Sequence, residues 1–205
     1  MIAKDYEIVN HQPDTDSGFS ATLFQKVERD KDGQVISRGE YILALRGTAG
    51  MSDYATDVGD IVLDGIGFDQ IVDLYNFWQR ITTEKDQHYK QAILKIDENL
   101  TDEYKSKLKK YNILMASDLQ DPQMLDFAFQ ELDEVKRKVA DDGYVIDGST
   151  VKKIEFVDTP VCNDIPNIGL GFDITSVTVA GHSLGGHLAA AFARLFQALP
   201  QQLGW

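Results

Sequence analysis

The stretch Val177-Thr178-Val179-Ala180-Gly181-His182-Ser183-Leu184-Gly185-Gly186-His187-Leu188-Ala189 constrains this chain more than any other. A short apolar run stops at a glycine, one serine follows, two glycines come next, and an alanine- and leucine-rich run resumes. That order predicts a buried strand turning sharply into a helix, with Ser183 at the apex. β-Carbons flanking such an apex would clash, so Gly181 and Gly185 permit the close approach. The serine hydroxyl is then held clear of the sheet, and the amide at the helix start faces the same space. A serine presented in this way is placed to act as a nucleophile.

The rest of the chain reads as alternating strands and helices. Residues up to about Ser17 are polar, with Pro13 and several aspartates, and suggest a loose lead-in or a first helix. From Gly18, the alternation of Phe19, Ala21 and Leu23 with polar residues predicts a half-buried strand. Asp30-Lys31-Asp32-Gly33 is a turn signal, and Tyr41 to Leu45 is a continuous apolar run suited to a strand covered on both faces. Phe68 to Ile81 carries one helical apolar face, with Tyr75 and Trp78 read as core. Tyr89, Ala92, Ile93 and Ile96 have helical spacing, and Tyr104, Leu108 and Tyr111 repeat it after Thr101 as an N-cap. Asp121-Pro122 opens a long amphipathic helix that should end near Gly143. About 82–120 is therefore expected to be a helical insertion, and 122–141 a core helix leading back toward the elbow strand. Residues 151–157 suggest a short strand or hairpin arm, 158–173 a loop holding Cys162 as an incidental thiol, and Leu188 to Leu199 a helix stopped by Pro200.

Two motifs give the pattern a family likeness. The strand Tyr41 to Leu45 runs into Arg46-Gly47-Thr48, Asp60-Ile61-Val62-Leu63-Asp64 follows, and Gly-His-Ser-Leu-Gly-Gly stands at 181–186. The combination resembles class 3 (fungal-type) lipases of the α/β-hydrolase family, and is similar also to secreted bacterial lipases and phospholipases A1. The resemblance implies an α/β fold: one partial α/β-hydrolase-like sheet spanning 1–205, with crossover helices and the insertion at about 82–120 as a candidate lid. A pair of surface helices is the plainer reading of that insertion. The resemblance also implies acylation at Ser183, with an oxyanion held by the backbone N–H groups of Leu184 and Thr48. It implies a lipid or other ester as substrate, with transient contact to a lipid interface. No cofactor and no metal ligands are expected. Calcium at Asp60 and Asp64 is the one ion the resemblance offers, against helix capping and loop bracing as their plain role.

A serine needs a base and an acid behind it. In this fold order both should follow Ser183, yet the sequence after Ser183 holds no Asp or Glu, and its one histidine is His187. His187 should leave from the helix rather than face the hydroxyl, His182 should support the turn, and His11 and His88 look like surface residues. The expectation is therefore the nucleophile-bearing part of a longer hydrolase, with a catalytically silent hydrolase-like module as the alternative. Peptidase or thioesterase chemistry on the same framework stays open.

Composition excludes other classes. The 205 residues carry 20 Lys and Arg against 33 Asp and Glu, a net charge of −13 that disfavours nucleic acid as a partner. One cysteine rules out an internal disulfide. No apolar run is long enough for a spanning helix, and residues 1–7 show no signal segment. Export without a cleaved signal and a cytoplasmic location both remain open.

Overall fold

The computed structural model of this chain describes residues 4–46, 67–85, 87–117, 121–158, 170 and 177–197. These hold four α-helices and two sheets, a mixed α/β architecture. They divide into two compact units, one of residues 93–155 and one of the remaining described residues.

In the first unit, β1 (Tyr6–Gln12), β2 (Ser20–Arg29), β3 (Val35–Arg46) and β7 (Val177–Gly181) form a sheet in that order. The β1–β2 and β2–β3 pairs are antiparallel, and β3–β7 is parallel. The β2–β3 hairpin closes where expected: the Asp30 carboxylate accepts from the amides of Asp32 and Gln34, and Gly33 takes φ +83. Register sets Leu23 opposite Leu43 and Ala21 opposite Leu45, so these four residues share a face. That face meets α1 (Phe68–Thr82) through Leu74, Phe77 and Ile81, and α4 (Leu184–Phe192) through Leu188 and Phe192. Trp78 packs edge-on against Phe192, centroids 4.7 Å apart, which confirms it as core.

The second unit holds most of β4 (Lys90–Ile96) and β6 (Thr150–Asp158), with α2 (Glu98–Met115), α3 (Pro122–Asp141) and β5 (Val145–Asp147). The sheet order is β4-β6-β5, and β5 and β6 are joined by the two-residue turn Gly148-Ser149. Leu100 and Tyr104 of α2, Leu132, Val135 and Val139 of α3, and Val151 of β6 form its core. Buried Thr101 ties helix to sheet, its hydroxyl accepting from the Val151 amide at 2.9 Å.

Several sequence expectations are corrected. The polar lead-in contains strand β1, whose partly buried Val9 packs on the first core. Residues 90–96 form a strand rather than a helix: Ala92 is buried, and its amide and carbonyl both bond the Asn76 side chain. The described part of 82–120 is thus a strand and a helix, not a pair of helices. The cap of α2 is Asp97, whose carboxylate accepts from the Leu100 amide, while Thr101 lies inside the first turn. Helix α3 begins on Asp121-Pro122 and ends before Gly143 as expected, and its buried face belongs to the core of the second unit. The final helix starts at Leu184 and passes into a π turn at Ala193–Gln197.

Candidate functional site

β7 gives way to α4 through a single tight turn. The Gly185 amide donates to the His182 carbonyl at 3.0 Å, and the Gly186 amide to the Ser183 carbonyl at 2.8 Å. Ser183, second in the 182–185 turn, has φ 57 and ψ −126, the values of that position in a type II′ turn. Glycine dominates there because a β-carbon is strained at positive φ. Among the described residues Ser183 is the one non-glycine with positive φ. Such an outlier costs about 1–3 kcal/mol and persists only where its surroundings over-determine it.

Gly181 is what over-determines it. A β-carbon at Gly181 would sit 2.0 Å from the Gly185 carbonyl oxygen and 2.9 Å from the Gly186 amide nitrogen. Both are backbone atoms and cannot rotate away, so the strand can run this close under the helix start only as glycine. Gly186 is different, since its β-carbon would meet the Gly181 oxygen at an ordinary 3.7 Å.

The turn leaves Ser183 exposed and not capping α4. Leu184 is the first residue of the helix, so its N–H has no acceptor in the helix's own ladder and lies at the positive end of the dipole. Ser183 and that amide therefore stand next to one another at the corner where β7 gives way to α4.

Register places this corner on the sheet. Leu45 pairs with Gly181, so Arg46 stands level with His182 at the shared carboxyl end of two parallel strands. Crevices at the carboxyl ends of parallel strands are where open α/β sheets bind ligands. Because β2 starts at Ser20 opposite Arg46, the β1–β2 connection lies at the same end. Asp14 of that connection makes an ion pair with Arg46. Thr15 and Ser17 each donate a hydroxyl to Asp73 of α1 at 2.7 Å, and Gln70 donates to the Ser17 carbonyl at 2.8 Å. Nothing in the sequence singled out Asp14; its role appears only once the register is known.

Thr48, Asp60, Asp64 and Cys162 lie outside the described residues. His182 and His187 are exposed on either side of Ser183, and His11 of β1 bonds the Thr22 hydroxyl of β2 at 2.9 Å. Among the described residues the Ser183 hydroxyl has no hydrogen-bond partner. Within the same set, no three His, Cys, Asp or Glu side chains gather as metal ligands, and no helix is long and apolar enough to cross a membrane. A scan against protein-family models, a search of curated proteins and a search of solved structures each find no match.

Proposed function

We propose that this chain carries the nucleophile of a serine-dependent carboxylic-ester hydrolase of the lipase or phospholipase A type, on an α/β-hydrolase-like framework. The observation that carries the reading is the backbone of Ser183, held at φ 57 between a strand-end glycine and a helix start. Strain of this kind has no packing rationale, because the side chain it presents is exposed.

In the proposed reaction the Ser183 oxygen attacks an ester carbonyl and its proton passes to a general base. The carbonyl oxygen takes up the charge, facing the Leu184 N–H, with Thr48 as the second donor by family likeness. The tetrahedral species collapses to an acyl-serine and releases the alcohol. Water then repeats the sequence, freeing the acid and restoring the hydroxyl. Each oxyanion donor in such a site is worth roughly 10²–10³ in turnover. No cofactor enters the chemistry. The second reading, a catalytically silent module, rests on the lack of any Asp or Glu after Ser183 and on a Ser183 hydroxyl with no hydrogen-bond partner among the described residues.

A fluorophosphonate probe separates the two, because it reacts with activated serines only. The esterase reading expects one labelled peptide containing Ser183, lost in Ser183→Ala. Absence of labelling, or labelling that survives Ser183→Ala, overturns it.

A further inference from the structure

The exposed apolar residues of the second unit are not scattered. Of the ten most exposed large hydrophobics among the described residues, Ile113, Met115, Met124, Phe127 and Phe129 all lie where α2 ends and α3 begins. The two helices run antiparallel: Lys138 bonds Glu103 at 3.0 Å, Lys107 bonds Glu131 at 2.5 Å, and Tyr111 lies 6.1 Å from Phe129. All five residues therefore belong to one end of a helical hairpin. Single exposed apolar residues need no explanation, but a cluster marks a contact surface.

Charge says what kind of surface. Lys107 and Lys110 both turn to Glu131, and Lys110 also stands 4.9 Å over the Phe127 ring. Lys105 and Lys109 make no ion pair among the described residues, and together with Ile113 they line a shallow groove of about 400 Å³ on α2. Among the described carboxylates of α3 near this end, Asp121 caps the helix start and Asp126 accepts from Gln130. In a chain of net charge −13, residues 104–116 carry four lysines and no acid. Lysine stems lie along apolar surface while their ammonium groups reach outward, and basic amphipathic helices with aromatic and aliphatic residues bind in the headgroup layer of lipids.

We propose that this hairpin tip docks the protein on a lipid surface carrying anionic headgroups. The inference rests on the esterase reading only in that it names the phase in which the substrate is met. Phe127, Met124 and Ile113 enter the layer while Lys105 and Lys109 contact headgroup phosphates. Charges elsewhere on the molecule are screened beyond about 8 Å at physiological ionic strength, so the charges at this end of the hairpin decide the contact.

The test is flotation of the full chain carrying Ser183→Ala, which separates binding from hydrolysis. It uses phosphatidylcholine vesicles with and without about one-third phosphatidylglycerol. The protein should float with the anionic vesicles. Ile113→Ser/Met124→Ser/Phe127→Ser, all at exposed positions, should abolish flotation with an unchanged circular dichroism spectrum. Lys105→Glu/Lys109→Glu should weaken binding to anionic vesicles more than tenfold, at about fivefold per lysine lost. No flotation, flotation indifferent to both variants, or self-association in ultracentrifugation that the triple variant removes would each overturn the proposal. Labelling of Ser183 without flotation rejects docking alone; flotation without labelling rejects the esterase reading alone.

Discussion

At Ser183 a side chain and its backbone pull in opposite directions. The hydroxyl is useful only at the apex, and the apex favours glycine. Ser183→Gly should therefore raise stability relative to Ser183→Ala, which keeps the strained φ. Relief of about 1–3 kcal/mol, less about 0.5–1 kcal/mol for glycine's extra freedom when unfolded, leaves a net gain of roughly 1 kcal/mol. Denaturant midpoints of the two variants measure it, and a less stable glycine variant would show the turn to be unstrained. Gly181→Ala should do the reverse, because the clash at 2.0 Å is with backbone. It should cost about 1–3 kcal/mol or more, whereas Gly186→Ala, with an ordinary contact, should be tolerated.

Elements read well from sequence where one signal acted alone. The alternation of Ala21 and Leu23 gives β2, Asp121-Pro122 opens α3, and the glycines around Ser183 place the turn. Reading failed at 90–96, where four apolar positions fit helical and strand spacing alike and the Asn76 side chain, binding Ala92, favours the strand. Asp97 and Thr101 were both able to cap α2. The pairing of Asp97 with Val151, its amide donating to that carbonyl at 3.0 Å, selects the earlier residue. The α2–α3 pair also carries the clearest charge device. Lys107 first, then Lys110, holds the Glu131 carboxyl below the usual carboxylate range, and the same contact raises Lys107. A carboxylate pKa lowered by folding stabilises above its unfolded value, and that contribution disappears as pH falls through the folded one. A raised lysine pKa contributes below its unfolded value and stops contributing as pH rises through the folded one. The stability difference between the parent protein and Glu131→Gln should thus be widest near neutrality. It should shrink below the carboxylate range and again above the lysine range, as pH-dependent urea unfolding would show.

On the scale of the whole molecule, two separate cores imply two separable consequences of damage. The elbow is built by β3, β7, α4 and the 13–17 connection, none of which lies in residues 93–155. Leu43 is fully buried in β3, and in the parallel ladder it stands opposite Val179, four residues before the nucleophile. Leu132 is buried in the second core. Either one changed to alanine should cost about 2–5 kcal/mol, because each leaves a cavity that its neighbours fill only in part. Their effects on Ser183 should differ. Leu43→Ala loosens the strand pair that sets the height of the elbow, so fluorophosphonate labelling of the folded protein should slow. Leu132→Ala should leave that rate unchanged under conditions where both variants remain folded. Equal slowing by both would mean that the nucleophile depends on the second core as much as the first, and that the division of the chain does not extend to its chemistry.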